Sequence, residues 1–137
     1  MSEVALTLDQ HVREAGGPVA GDLAILLSQL GLAGTMIARE LGRAPLVGQL
    51  GATGETNVQG EAVKKLDLWA YEAVVGALDA TGLACALVSE EMAEPLHLAQ
   101  HCARAQYVVC FDPVDGSSNL DVNGIVGTIF SILRRRG

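Results

Sequence analysis

Basic residues are scarce in this sequence, and their scarcity narrows the kinds of partner it can have. Lysine and arginine together number 9, against 16 aspartates and glutamates, which gives a formal net charge of −7 at pH 7. A nucleic-acid-binding surface normally carries a basic face, whereas the basic run here, residues 134–136, lies at the C-terminus. We therefore expect no nucleic-acid partner.

Cysteines are also few and lack a metal-binding or framework pattern. The three, Cys85, Cys102 and Cys110, are odd in number and show no Cys-x-x-Cys spacing. This usage fits reduced cytosolic thiols better than a disulfide framework or a zinc site. We expect three reduced thiols without a role in chemistry.

Targeting and membrane signals are likewise missing. The N-terminus carries Glu3, Asp9 and Glu14 and has no basic start leading into an apolar run, so it does not resemble a signal peptide. No stretch approaches the length of a membrane span. The expectation is a soluble, cytoplasmic protein with no membrane partner.

Neither internal repeats nor a Pro/Ser-rich linker divides the 137 residues, so one domain over residues 1–137 is expected. Half of the residues are apolar and 18% are charged, a composition that supports a buried core and argues against disorder.

The first half of the chain has helical patterns. Residues 7–10 match a capping box, opening a short helix that residues 16–18 end. Leucines at helical spacing predict a second helix from about Val19 to Leu41, stopped by Gly42. Glycines and polar residues predict a loop over 44–60, and an apolar pattern that includes Trp69 predicts a helix over 61–78.

The second half has strand patterns. Residues 84–89, 107–111 and 127–133 are β-branched or continuously apolar runs of strand length. Such runs suit a sheet that is covered on both faces.

Acidic residues follow two of these strands. The segment 111–119, FDPVDGSSN, places Asp112 and Asp115 three residues apart on a proline-stiffened turn and then supplies small polar residues. Carboxylate and backbone oxygens suit Mg²⁺, and Gly116 to Ser118 can aim N–H and hydroxyl groups at an anion, most simply at a helix N-terminus. Glu90 and Glu91 end the first strand, so two adjacent strands would bring both acidic pairs within reach of one metal.

Four segments in order resemble class I fructose-1,6-bisphosphatase: residues 57–67 (NVQGEAVKKLD), 88–91 (VSEE), 107–121 (YVVCFDPVDGSSNLD) and 126–133 (VGTIFSIL). The turn from Asp112 to Ser118 alone would be less specific, because the wider sugar-phosphatase superfamily has a similar turn. The first and last of the four segments point to fructose-1,6-bisphosphatase in particular. The resemblance implies an α+β layered fold, an α/β sandwich with helices first and then a mixed sheet.

The resemblance also implies Mg²⁺-dependent hydrolysis of the 1-phosphate of fructose 1,6-bisphosphate, with Mn²⁺ as an alternative metal, and a homotetramer in full-length members. The implied metal-site residues are Glu90, Asp112, Asp115, the backbone carbonyl of Val114, and Glu61 close to the cluster. The implied water-activating carboxylates are Asp67 and Glu91. The implied 1-phosphate-binding residues are Asp115, Gly116, Ser117 and Ser118.

Helical geometry adds one expectation about Glu61 and Asp67. On an unbroken helix, residues six apart lie roughly 120° apart around the axis, and both could not easily face one metal. We therefore predict a break around residues 60–66, with the regular helix starting nearer Asp67.

Family members are more than twice as long as this chain, which matches their N-terminal half. The expectation is a truncated domain without the sugar-binding half, and two alternatives stay open. One is an inactive metal- or phosphate-binding fragment that associates with full-length subunits, and the other is a related sedoheptulose- or inositol-phosphate phosphatase.

In many family members AMP binds near the first two helices. Here Ala24 stands where those members have a hydroxyl residue, and Gln106 stands where they commonly have a basic residue. Both changes remove contacts to the AMP phosphate, so inhibition by AMP is doubtful.

Overall fold

A computed structural model describes residues 5–47, 56–122 and 124–136 of the chain. The α-helices are α1 (Leu8–Ala15), α2 (Ala20–Val47) and α3 (Thr56–Asp79), and the strands are β1 (Ala84–Ser89), β2 (Leu96–His97), β3 (Tyr107–Asp115) and β4 (Gly127–Arg134). Two 3₁₀ helices cover Gly17–Val19 and Ser117–Val122. The order, helices first and then a sheet, is the predicted one.

The capping box at the start of α1 is present. The Thr7 side chain accepts a hydrogen bond from the Gln10 backbone, and the Gln10 side chain accepts one from the Thr7 backbone N–H. These bonds satisfy two backbone donors that a helix start otherwise leaves unpaired. The pattern in residues 7–10 was therefore sufficient to locate this helix.

Helix α2 is longer than predicted. It continues through Gly42 to Val47, so a glycine that was expected to end the helix lies inside it. A glycine in a helix costs only about 1 kcal/mol relative to alanine, which neighbouring turns can outweigh. The predicted loop over 44–60 is wrong at both ends, where residues 44–47 and 56–60 are helical, and residues 48–55 lie outside the described chain.

The apolar content of α2 also corrects the membrane expectation. Among the described residues, one helix, Gly17–Arg43, is long and apolar enough to cross a membrane by length and composition alone. A core helix passes the same test, and Leu26, Leu30 and Ile37 of this helix are buried in the protein core.

Helix α3 is continuous from Thr56 to Asp79, so the predicted break over residues 60–66 is wrong. No proline occurs between residues 56 and 79, and Gly60 alone does not interrupt the backbone hydrogen bonds. The side chain of Glu61 lies outside the described structure, and its place near a metal stays a prediction.

The four strands form a mixed sheet in the order β2-β1-β3-β4. Strands β1 and β3 are parallel, with Val88 opposite Cys110, while β2 and β4 run antiparallel to their neighbours. The parallel pair decides the location of the site, because the carboxyl ends of β1 and β3 meet at one edge.

The helices cover one face of this sheet. Buried side chains alternate along β3, where Tyr107, Val109 and Phe111 pack against the helices, and the Phe111 ring stacks on Tyr71 with centroids 5.8 Å apart. Trp69 packs against the same core, as predicted. The opposite face carries exposed apolar residues, so the expectation of a sheet covered on both faces is not met within the described chain. These residues include Val88, Ile129 and Leu133.

The cysteines also depart from expectation. Cys85 and Cys102 form a disulfide, and Cys110 is a free thiol. The loop that follows β2 folds back onto the start of β1 and brings the two Cα atoms to 4.4 Å. Sequence spacing carries no information on such a contact, which explains why three reduced thiols were expected.

Candidate active site

Three carboxylates meet where β1 and β3 end. Glu90 and Glu91 follow β1 directly, and Asp112 lies near the end of β3. One oxygen from each of these side chains lies within 4.8 Å of the others. The predicted meeting of the two acidic segments is therefore confirmed for these three residues.

Local hydrogen bonds fix the backbone around the carboxylates. The Glu91 N–H donates to the Ser89 hydroxyl oxygen at 3.3 Å, and the Val114 N–H donates to Asp112 Oδ1 at 3.2 Å. The Thr128 hydroxyl on β4 donates to the Pro113 carbonyl at 2.9 Å. Sequence reasoning gave no role to Ser89 or Thr128, although both occur in segments that carry the family resemblance.

The carboxylates repel one another. The pKa of Glu90 is raised chiefly by the negative charge of Asp112, with smaller contributions that include the charges of Asp115 and Asp67. The pKa of Glu91 is also raised, chiefly by burial and further by the negative charge of Asp67. A cation would relieve this repulsion, and a donor set made of carboxylate oxygens suits a hard divalent ion such as Mg²⁺. The residues therefore fit the implied metal.

Asp67 brings α3 to the same place. Burial raises its pKa, the charge of Asp112 adds to the effect, and a hydrogen bond from the Ser117 side chain opposes it. Its Oδ1 atom is buried and has no hydrogen-bond partner among the described residues. A half-buried carboxylate with a raised pKa beside a cluster of carboxylates is a reasonable proton acceptor.

The small polar residues after β3 form a tight turn. Gly116 has a φ of +84°, and a Cβ at this position would lie 3.1 Å from the Ile125 carbonyl oxygen, so this position favours glycine. The 3₁₀ helix Ser117–Val122 begins immediately afterwards, and the Asn119 N–H donates to the Gly116 carbonyl at 2.9 Å. The predicted helix start after Gly116 is therefore present as a 3₁₀ turn.

Four other predicted residues, Val114, Asp115, Ser117 and Ser118, follow Asp112 closely along the chain. Asp115 is exposed at the end of β3, and its charge reaches Glu90. Val114 is 2% exposed, and its backbone is tied to Asp112. Ser117 is half-buried and Ser118 is exposed. The structure thus joins α3, β1 and β3 at one acidic edge.

Comparisons with known proteins agree with this arrangement. Residues 4–137 match the family model described as Fructose-1-6-bisphosphatase, N-terminal domain. The chain is 46% identical over 136 residues to the class 1 fructose-1,6-bisphosphatase of Thermosynechococcus vestitus, covering 96% of this chain and 39% of that protein. It is 44% identical over 135 residues to the class 1 enzyme of Synechocystis sp., with the same coverage.

Solved structures show the same relation. The holo form of Leishmania major fructose-1,6-bisphosphatase superimposes with a TM-score of 0.75 and 29% sequence identity, covering 96% of this chain and 39% of that one. The chain thus spans about 39% of the length of the relatives it matches. It belongs to the fructose-1,6-bisphosphatase family and corresponds to that family's N-terminal domain.

Proposed function

We propose that this chain supplies the metal-binding part of a fructose-1,6-bisphosphatase active site. The proposed reaction is hydrolysis of the 1-phosphate of fructose 1,6-bisphosphate, which gives fructose 6-phosphate and phosphate. The observation that carries the proposal is the convergence of Glu90, Glu91 and Asp112 at one sheet edge, in a chain of this family. The reaction belongs to gluconeogenic or photosynthetic carbon metabolism, and we place it in the cytoplasm.

The acidic edge would hold the divalent cation. Glu90 and Asp112 are the proposed side-chain ligands, with Asp115, the Val114 carbonyl and Glu61 completing the set. Bound Mg²⁺, or Mn²⁺ in its place, would neutralise the charge on the attacking and leaving oxygens of a phosphate ester. The mutual repulsion of the carboxylates supports this assignment, since it keeps the metal-free site poised to bind a cation.

Two carboxylates have a separate proposed role. Asp67 and Glu91 would accept the proton that water loses as its oxygen attacks phosphorus and the bond from phosphorus to the sugar oxygen breaks. Their pKa values are raised mainly by burial, which favours proton uptake. Because the Glu91 oxygen lies among those of Glu90 and Asp112, its role as proton acceptor or ligand depends on where the metal sits.

The turn after β3 is the proposed phosphate-binding segment. Residues 115–118 follow Asp112 closely along the chain. The backbone N–H groups of Gly116 and Ser117 lie at the start of the 3₁₀ helix Ser117–Val122. The Ser117 side chain lies close enough to Asp67 to lower its pKa, so the phosphate segment and the proton acceptor are neighbours. A substrate phosphate held here would lie close to the metal ligands.

Catalysis should need residues beyond this chain. We expect purified chain with Mg²⁺ to release no phosphate from fructose 1,6-bisphosphate, and a polypeptide extended to the length of its class 1 relatives to release it, because the chain spans only about 39% of those proteins. Phosphate release measures both. Phosphate release by the short chain would show that catalysis needs no further residues and would exclude the inactive-fragment alternative.

The same assay separates related substrates. If the extended polypeptide hydrolyses inositol 1-phosphate or sedoheptulose 1,7-bisphosphate faster than fructose 1,6-bisphosphate at equal concentration, the substrate assignment is wrong and the phosphatase assignment survives. We expect substrate choice to rest on parts of the relatives that this chain does not match.

We also propose a homo-oligomer that uses helix α2. Ile25, Leu32 and Met36 lie seven and four residues apart on one helix face, and each is between 44% and 52% exposed. A second copy packed antiparallel about a two-fold axis would cover this stripe and bring Asp22 of one copy towards Arg39 of the other, joining opposite charges.

Leu32→Glu should lower the mass of the extended polypeptide in light scattering, because it places a charge in the proposed contact. Leu68→Glu is the matched control, since Leu68 is 48% exposed on a different helix, α3. Equal masses for Leu32→Glu and the wild type, or equal losses for both variants, would refute α2 as the contact.

A further inference from the structure

We propose that Thr128 on β4 is a positioning residue for the metal site, because its hydroxyl holds a β-bulge in β3 that keeps two carboxylates on one face of the sheet. The bulge consists of Pro113 and Val114, and the carboxylates are those of Asp112 and Asp115. The inference rests on the proposed function, in which these two aspartates are metal ligands. Loss of the Thr128 hydroxyl should therefore weaken divalent-cation binding while the fold stays intact.

The bulge follows from the pairing of β3 with β4. Asp112 lies opposite Ile129, and Asp115 lies opposite Gly127. Three steps along β3 thus correspond to two steps along β4, so β3 contains one extra residue between the two aspartates. Thr128, which lies between Gly127 and Ile129, therefore faces both residues of the bulge.

The extra residue decides which face of the sheet Asp115 occupies. Side chains in a regular strand alternate between the two faces, so residues three apart lie on opposite faces. Pro113 and Val114 are instead both buried, and Asp115 returns to the open face that Asp112 occupies. The pKa of Glu90 is raised chiefly by the charge of Asp112 and also by that of Asp115, as expected for two carboxylates on one face.

The Thr128 hydroxyl bonds across the strands where backbone donors are short. Pro113 has no N–H, and the Val114 N–H donates to Asp112 Oδ1 at 3.2 Å, within β3. The Thr128 hydroxyl donates to the Pro113 carbonyl at 2.9 Å and so links β4 to the bulge. Threonine suits this role, because its β-branched side chain has a restricted χ1 angle.

Packing on the helix side leaves the bulge room to move. Among the described residues, a cavity of about 150 Å³ is lined by Val114 and Thr128 on the sheet and by Gly34 and Ile37 on α2. Atoms that border a cavity lack contacts on that side, so α2 restrains the bulge only weakly there. The hydrogen bond from Thr128 therefore has a larger share in fixing this backbone.

A metal site is sensitive to movement of this segment. Ligand distances in a well-formed site vary by only about 0.2 Å. Without the bulge, the alternation along β3 would turn Asp115 to the helix face, away from Asp112 and Glu90. The site would then lose one of its proposed ligands.

The experiment measures Mn²⁺ binding to the purified chain by electron paramagnetic resonance, and the melting temperature in EDTA. Thr128→Val keeps the shape of the side chain and removes the hydroxyl. It should weaken Mn²⁺ binding about tenfold, as is usual when a group that orients a metal ligand is lost, and should lower the melting temperature by only about 4 °C. Thr128→Ser keeps the hydroxyl and should recover most of the affinity.

Thr81→Val is the matched control. Thr81 is partly buried, as Thr128 is, and its hydroxyl donates to the Leu78 carbonyl at 2.6 Å. It precedes β1 and so lies at the other end of that strand from Glu90. Because its hydroxyl also accepts a bond from the Leu83 N–H, Thr81→Val should lower the melting temperature at least as much as Thr128→Val. Its affinity for Mn²⁺ should equal that of the wild type.

The outcomes separate this role from the proposed function. An absence of Mn²⁺ binding in the wild type would overturn the proposed metal site and the role of Thr128 with it. Equal affinity in the wild type and Thr128→Val would overturn the positioning role alone. Equal weakening in Thr128→Val and Thr81→Val, or no recovery in Thr128→Ser, would also overturn it. An unfolded Thr128→Val chain would do the same, because a positioning residue leaves the fold intact.

Discussion

Replacing Asp112 with asparagine should abolish the rise in melting temperature that Mg²⁺ or Mn²⁺ gives the chain, while the metal-free protein stays at least as stable as the wild type. Removing a partner that only orients a metal ligand typically costs 10–100-fold in affinity, so loss of a ligand should cost about 100-fold or more. A ligand that binds only the folded state stabilises it by RT ln(1 + L/Kd), where L is the free ligand concentration, so the thermal shift should vanish at metal concentrations well below the weakened Kd.

The expected stability without metal separates this role from a structural one. The Asp112 charge raises the pKa of Glu90, Glu91 and Asp67, so its removal relieves repulsion. Asparagine also keeps the Oδ1 acceptor for the Val114 N–H. A residue needed only for packing would lose stability instead.

The pH dependence of the metal-free chain follows from the same repulsion. Because these acids have raised pKa values in the folded state, that state binds more protons than the unfolded chain between the ordinary and the raised pKa values. The free energy of unfolding therefore falls as the pH rises through this window. Melting curves in EDTA should show this fall in the wild type and a smaller one in Asp112→Asn.

Glu94→Gln is the control for both measurements, because Glu94 is exposed in the loop after β1 and outside the cluster. It should keep the metal-dependent rise in melting temperature. A full metal response in Asp112→Asn would exclude Asp112 as a ligand. A large loss of stability in that variant without metal would indicate a structural role.

Leu87→Ala should destabilise the chain by about 2–5 kcal/mol, the cost usually seen when a buried leucine is truncated. Leu87 is 2% exposed at the centre of β1 and belongs to the core between the sheet and the helices. Small domains are stable by only about 5–15 kcal/mol, so the variant should unfold at much lower urea concentration, or be unfolded in its absence. Circular dichroism in urea measures the difference.

Val88→Ala is the adjacent control, because Val88 is 37% exposed on the other face of the same strand. It should cost about 1 kcal/mol or less. If the Val88 variant loses as much stability as the Leu87 variant, β1 does not present these side chains as described, or the open face of the sheet is covered in solution. Equal, small losses in both variants would exclude a buried Leu87.

The sequence predicted an element or a turn correctly where the interactions that form it lie within one short segment. The capping box before α1 needs only residues 7–10, and the strand over 84–89 was predicted with the bounds it has. The turn from Asp112 to Ser118 carries its own chemistry, because a glycine at positive φ and two carboxylates are specified by residue type. The resemblance to the family rests on the same kind of local information.

Predictions failed where distant parts of the chain decide the outcome. Gly42 and Gly60 were expected to end or break helices, but each costs little, and both helices continue through them. The disulfide depends on a loop folding back over 17 residues of separation. Neither residue type nor spacing predicts that contact, because it depends on where the loop after β2 lies relative to β1 in the folded chain.

By itself, the sequence determined the family, the order of helices and strands, and the chemical nature of the acidic turn, since each follows from residue types in short runs. Only the tertiary structure decided that Glu90, Glu91 and Asp112 share one edge, that Asp67 reaches it from α3, and that Cys85 is bridged to Cys102. The physical reason is the parallel pairing of β1 with β3. Hydrogen bonds between strands that are separated along the chain set this register, and no local pattern encodes them.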